Sequence, residues 1–232
     1  MPIHLMREIE NLKRDILRVG AMAEQGVREA TLAIQNRDGR LARQVIENDA
    51  RLDEMEVEVE ESCLKTLALH QPVAIDLRFI ISVLKINSDL ERVGDLAVSI
   101  AERAVFLATV PRVDLAFDFT AMATKVQAML KASLDALVNL SGQAAREVIA
   151  GDDEVDAANR QVYLLIHDAI RANPDNTEPL IHLLSVSRHL ERIADHATNI
   201  AKDVIYMAEG EVVRHRQEEY LPGMTKKKVD ER

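Results

Sequence analysis

A chain whose second hundred residues repeat the pattern of its first is constrained to build one unit twice. Displaced by 100 positions, Leu84, Leu90-Glu91-Arg92, Asp95, Ala97, Ile100 and Ala101 fall on Leu184, Leu190-Glu191-Arg192, Asp195, Ala197, Ile200 and Ala201. A displacement of 103 carries Val45-Ile46, Asp49 and Asp53 onto Val148-Ile149, Asp152 and Asp156. The change of displacement places a three-residue shortening in the second copy, around Asn173–Glu178. Matched spacing of this kind marks a duplicated supersecondary unit whose copies pack on one another.

The apolar period says what the unit is. Leu5, Ile9, Leu12, Ile16, Val19, Ala23, Val27, Ala30 and Ile34 step by threes and fours, which is one stripe of an α-helix. Asn36-Arg37-Asp38-Gly39 reads as a stop with a glycine cap. A second helix is expected from about Arg40 to His70, and a third from about Ala74 to Thr109, ended by Pro111. The order then returns: Phe119 to about Leu140, Gln143 to Ala172, and Glu178 to Ala208, closed by Gly210. The 8 Gly and 6 Pro in 232 residues are too few for a sandwich or barrel, which needs a turn every ~8–12 residues.

Each third helix carries a seam alternating threes and fours. One is Ile80, Val83, Asn87, Leu90, Gly94, Ala97, Ala101, Ala104 and Ala108; the other is Leu180, Leu183, Ser187, Leu190, Ala194, Ala197, Ala201, Val204 and Ala208. Such seams pack at shallow crossing angles, and their small residues admit a close neighbour. The expected fold is all-α: two tandem three-helix bundles, residues 1–110 and 115–210, end to end or side by side. A polar, disordered tail is expected over 211–232.

Composition narrows the function. With 29 basic against 39 acidic residues the net charge is −10, and there is no Trp. That opposes binding to a phosphate backbone, so no nucleic-acid partner is expected. The single Cys63 excludes an intrachain disulfide, which suits a reducing compartment. No apolar run approaches the ~20 residues that span a bilayer, so a cytoplasmic protein without membrane insertion is expected.

Four places show two carboxylates four residues apart: Asp49/Asp53, Glu91/Asp95, Asp152/Asp156 and Glu191/Asp195. At that spacing the side chains share a helix face, and like charges there are destabilising unless a cation compensates. If the second and third helices of each bundle pair antiparallel, two pairs converge on one set of oxygen donors suited to a hard cation. The competing reading is a solvated acidic face served by Arg92, Arg103, Arg192 and Lys202, each pair worth only ~0–1 kcal/mol. Recurrence at matched positions keeps the cation reading open beside it.

His182, His189 and His196 lie at heptad spacing, too far apart to share one ion. His196 adjoins Asp195 as an auxiliary ligand or a hydrogen-bonded residue. None of the seven histidines follows a Glu by three positions, as a di-iron bundle requires. There is no phosphate-binding Gly-Lys loop and no nucleophile elbow, so no enzyme and no organic cofactor are expected. Cys63, in mid-helix, reads as an inert thiol.

The strings Gln71-Pro72-Val73-Ala74-Ile75-Asp76-Leu77-Arg78, Leu90-Glu91-Arg92-Val93-Gly94-Asp95 and Leu190-Glu191-Arg192-Ile193-Ala194-Asp195-His196-Ala197-Thr198-Asn199-Ile200-Ala201 resemble the PhoU family of phosphate-uptake regulators, from about Leu5 to Gly210. The resemblance implies a cytoplasmic, non-catalytic adaptor. It would link the ATPase of the phosphate ABC transporter to a phosphate-responsive sensor histidine kinase and help repress the starvation response. It also implies a homodimer, and metal ions (iron or another divalent cation) at Asp49, Asp53, Glu91, Asp95, Asp152, Asp156, Glu191 and Asp195. Departures occur where Gly94 becomes Ala194, and where Asn173-Pro174-Asp175 stands opposite the Gln-Pro-Val-Ala-Ile-Asp-Leu-Arg element. A metal-storage or metal-dependent hydrolytic bundle is the alternative from another class, and a salt-bridged structural scaffold a third.

Overall fold

The computed structural model describes residues 3–213. Its helices are α1 (Ile3–Asn36), α2 (Gly39–His70), α3 (Ala74–Leu107), α4 (Phe119–Asn139), α5 (Gly142–Ala150), α6 (Asp152–Ala172) and α7 (Thr177–Glu209), with a 3-10 turn at Pro174–Asn176 before α7. No strand occurs among the described residues. Helices α1–α3 form the first unit and α4–α7 the second. The expected tail, with Lys226-Lys227-Lys228, lies outside the described residues from 214 onward. Residues 210–213 have left the helix, yet Val213 is buried in the core.

Short side chains close the helix ends. The Asp38 carboxylate accepts from the N–H groups of Arg40 and Leu41, that of Asp118 from Ala121, and the Ser141 hydroxyl from Ala144. Each satisfies donors that a helix leaves unpaired at its start. The expected glycine cap after α1 is not at Gly39, which is the first residue of α2. Arg37 takes the left-handed position, φ 56°, and the Asp38 N–H closes back on the Ala33 carbonyl. With only two residues between helices, Asp38 must cap α2, so the left-handed residue falls one place earlier. Gly210, φ 77°, does cap α7.

The helix expected over Gln143–Ala172 is broken. At Gly151 the N–H bonds to the Val148 carbonyl three residues back, and α6 restarts at Asp152. Counting back 103 positions, Asn48 stands in mid-α2, where the helix runs on without interruption. Gly151 is the weaker helix former at this point, and the ladder shifts there.

The two units lie side by side. Helices α3 and α7 pack antiparallel: Phe106 stacks on His182, the His196 Nδ1 lies 2.8 Å from Asp89 Oδ1, and the Lys85 ammonium lies 3.4 Å from Asp203 Oδ1. Helices α1 and α4 pair antiparallel beside them, with the Gln127 amide donating to the Thr31 hydroxyl at 2.7 Å. One apolar core runs through both units. The α3 seam is therefore wider than expected: Ile86, Val93, Leu96 and Ile100 are buried as well, because α1, α2 and α7 each take a side.

Helix α4 has 21 residues where α1 has 34. The connection from 108 to 118 fills the shortfall. It turns at 108–110 and then runs without regular structure, and Val113, Leu115 and Phe117 alternate inward to cover Val162, Ile166 and Leu180.

Gly94 sets the spacing of α2 and α3. A Cβ there would sit 3.2 Å from Asp49 Oδ1 and from both Leu52 methyls. In the second unit the corresponding residues are Ala194 and Val155, so the extra methyl on one helix is matched by a smaller side chain on the other. Gly94→Ala and Leu52→Val should therefore be coupled. In urea denaturation Leu52→Val alone should cost about 1 kcal/mol. The double variant should be more stable than the two single changes predict, by about 0.5–1 kcal/mol. Simple additivity would show that this contact does not set the helix spacing.

Candidate functional site

Folding brings the acidic pairs together in the way their spacing predicts. In the first unit Asp49 and Asp53 on α2 meet Glu91 and Asp95 on α3. Burial first, then Asp53 and Asp95, pushes the Asp49 carboxyl up to about 6. Glu91 is raised by burial and by Asp95, Asp53 and Glu56, against the pull of Arg92. In the second unit burial, then Asp195 and Asp156, pushes Asp152 up to about 6, with Lys202 opposing. Glu191 and Asp195 are raised by burial and by Asp156. No acidic residue of one face contributes to a shift on the other, so the faces are two separate acidic clusters.

Glu56 is a member the sequence reading missed. Its carboxyl is raised by burial and by Glu60 and Asp53, and it reinforces Glu91. The signal was present: Asp49, Asp53, Glu56 and Glu60 continue one face in steps of four, three and four. Glu56 also ties the helices together, because the buried Asn87 amide donates to its carbonyl at 2.8 Å and to its Oε1 at 3.1 Å. The second unit repeats the tie, with the Ser187 hydroxyl donating to Asn159 Oδ1 at 2.7 Å. Polar pairs at matched seam positions fix the register of α2 on α3 and of α6 on α7.

The two clusters differ in compensation. Arg92 lies 3.4 Å from Glu91 and 3.1 Å from Asp95, so part of the solvated ion-pair reading holds. Among the described residues Asp49, Asp53 and Glu56 have no cation within 4.0 Å. In the second unit Arg160 reaches Asp156 at 3.6 Å, and Lys202, Arg188 and Arg192 pull on the rest. The first face keeps the larger uncompensated charge.

As a donor set, clustered carboxylate oxygens suit a hard cation. Their positions do not enclose one: among the described residues no three His, Cys, Asp or Glu side chains converge on a metal-binding geometry. Binding would therefore require half-exposed carboxylates to turn inward.

The other candidates are structural. His196 bridges to Asp89 across α3 and α7, at 17% exposure on both sides. Burial and Arg103 lower His182 and His189. Burial pushes the Cys63 thiol up to about 12, which leaves it unreactive.

Two side-by-side helical bundles bearing matched acidic faces, zipped by matched polar pairs, define a duplicated all-α protein. The family model described as the PhoU domain matches it twice, over residues 16–104 and 119–204. A phosphate-specific transport system accessory protein PhoU homolog of Aquifex aeolicus is 37% identical over 91% of this chain and 96% of its own. Its counterpart in Caulobacter vibrioides is 38% identical over 88% and 89%. Among solved structures, PhoU from Pseudomonas aeruginosa matches with a TM-score of 0.84 at 33% identity, covering 88% of this chain and 99% of that one. The regulatory protein PhoU from Streptococcus pneumoniae gives 0.80 at 28%, covering 90% and 99%. The chain belongs to the PhoU family.

The carboxyl shifts have a signed consequence. Asp49 and Asp152 titrate near 6 when folded and near 3.9 when unfolded, so between those values the folded state holds more protons. Stability from these groups is present at low pH and lost as pH rises through about 6. Chelator-treated protein should melt at a higher temperature near pH 5 than at pH 7, and Asp49→Asn with Asp152→Asn should flatten that slope. An unchanged slope in the double variant would show that the carboxylates are not strained.

Proposed function

We propose that this chain is a cytoplasmic accessory protein of phosphate-specific transport that lowers phosphate uptake and the phosphate-starvation response when phosphate is plentiful. It acts as a non-catalytic adaptor between the ATPase of a phosphate ABC transporter and a phosphate-responsive sensor histidine kinase, and it works as a homodimer. The observation that carries this reading is the likeness, along about nine-tenths of the chain, to relatives named as accessory proteins of the phosphate-specific transport system. No described helix is long and apolar enough to cross a membrane, which is compatible with docking from one side. Deleting the gene should raise output from a phosphate-responsive reporter in high phosphate; unchanged output would sink the regulatory role.

The acidic faces serve this role as cation sites, taking iron or another divalent ion. Asp49, Asp53, Glu91 and Asp95 would hold one site, with Glu56 beside them, and Asp152, Asp156, Glu191 and Asp195 the other. A bound cation supplies positive charge between paired helices. The carboxylates themselves would give up their protons and turn toward the shared centre, and Asn87 and Ser187 would hold the helix register while they do so. The larger uncompensated charge supports stronger binding at the α2–α3 face. Elemental analysis after exhaustive dialysis should find metal in the wild-type chain and less in Glu91→Ala with Asp95→Ala. The α6–α7 counterpart, Glu191→Ala with Asp195→Ala, should lose less. Metal-free wild-type protein would overturn the cation reading.

A further inference from the structure

The duplication has left two corresponding faces with different charge, one acidic and one mixed. From Asp53 to Glu61 the outer side of α2 carries Asp53, Glu54, Glu56, Glu58, Glu60 and Glu61, with no basic residue between them. Glu54, Val57, Glu58, Glu61 and Leu64 lie three or four apart and are exposed, so they form one acidic stripe with two apolar side chains in it. At the matched positions of α6, Val57 becomes Arg160, Glu58 becomes Gln161, Glu60 becomes Tyr163 and Glu61 becomes Leu164. On the neighbouring third helix Ser88 becomes Arg188, while Arg92 is kept as Arg192.

The result is an open groove of about 760 Å³ between α6 and α7. Arg160, Arg188 and Arg192 line it together with two carboxylates, Glu191 and Asp195, and Tyr163 and Leu164 form its apolar ground, 59% and 63% exposed. Among the described residues Arg188 and Arg192 have no carboxylate within ion-pair distance, and Arg160 has only Asp156, at 3.6 Å. Exposed apolar side chains beside three guanidinium groups, two of them without a carboxylate within ion-pair distance, form a surface suited to an acidic, partly apolar helix.

The same chain displays such a helix. We propose that a second copy of this chain fills the groove: the acidic stripe of α2, Glu54 to Leu64, docks against Arg160, Arg188 and Arg192 of the partner, and the reciprocal contact closes a two-fold dimer. Val57 and Leu64 then meet Tyr163 and Leu164, and the acidic side chains meet the arginines. Before the copies diverged this contact would have set like faces together. Replacing five glutamates on one of them, and adding two arginines, turns repulsion into attraction. Two reciprocal contacts also double the buried area, which a stable dimer of ordinary size needs. The proposal rests on the homodimer reading above and names its surface.

The test uses two full-length variants. One reverses the groove, Arg160→Glu with Arg188→Glu; the other reverses the stripe, Glu58→Arg with Glu61→Arg. All four positions are outside the core and outside the proposed cation ligands, and circular dichroism melting confirms that each variant is folded. By light scattering, the wild-type chain should run at twice its 26.0 kDa mass in low salt and dissociate as salt rises. Each variant alone should dimerise about tenfold more weakly or not at all. Mixed together they should form a heterodimer, since each then offers the charge the other lacks. Variants that dimerise like wild type would place the interface elsewhere, overturning the proposal while leaving the homodimer reading intact. Variants that remain monomeric even when mixed would overturn the pairing. A wild-type chain that stays monomeric would overturn both readings and leave the groove to an acidic segment of another protein. A mass climbing beyond the dimer would overturn the two-fold closure.

Discussion

The antiparallel packing of α3 against α7 is the contact on which the rest of the molecule depends. Each is the last helix of its own unit, and each buries a continuous run of Ala, Val, Leu and Ile on more than one side. Neither unit could cover that surface alone, and exposing it would cost ~25 cal/mol for every Å² of apolar area. Joined, they bury Ala97 and Ala101 from one unit and Ala197 and Ala201 from the other in a single core. The repeats are thus topological units that share one hydrophobic interior. Polar contacts along this pair, Lys85 with Asp203 and His196 with Asp89, sit at its margins and fix its alignment.

That central pair leaves α2 and α6 on the outside, each held by one face, and there the charge collects. A half-buried carboxylate beside two others works against the contact that buries it, as the raised Asp49 and Asp152 values record. The helices stay in place because the opposing terms are local and the supporting ones extended. Leu52, Val59 and Cys63 anchor α2 in the core, and Val155, Val162 and Ile166 anchor α6. The hydrogen bonds from Asn87 and Ser187 hold the register. The scaffold therefore carries repulsion that packing alone cannot relieve, and only protons or cations can.

The helical units were legible because period and duplication are properties of sequence. The stripe of α1, the third-helix seams and the convergence of Asp49 with Asp95 and of Asp152 with Asp195 all follow from spacing. What could not be read depended on distances between elements. Side-by-side packing of the units is decided by surfaces far apart in the chain. The break at Gly151 was missed because its Asn48 counterpart lies in an unbroken helix. The left-handed residue fell on Arg37 because a turn of two residues cannot both end a helix at Gly39 and cap the next one. The inward alternation of Val113, Leu115 and Phe117 makes sense only once α4 is seen to be short. The eight predicted carboxylates occupy the two faces, and Glu56 joins one of them at a spacing of three, outside the repeated pairs spaced by four.

Divergence between the copies then follows a physical order. Positions that face the shared core keep their identity or trade volume across a contact, as Gly94 with Leu52 does against Ala194 with Val155. Positions that face solvent were free to gain or lose charge, and they did so on α2 and α6, where Val57 corresponds to Arg160 and Glu58 to Gln161. The connections diverged furthest. From the end of α2 into the first turn of α3 the chain holds Gln71 and Ala74 at positive φ and leaves Val73 and Ile75 exposed, whereas between α6 and α7 it is a polar 3-10 turn. A symmetric dimer of single units would present the same surface twice. Covalent duplication removes that constraint, because each copy can be altered while α3 and α7 still hold both in place. Two unlike faces on one rigid core are what this arrangement makes possible and what a symmetric assembly of identical units excludes.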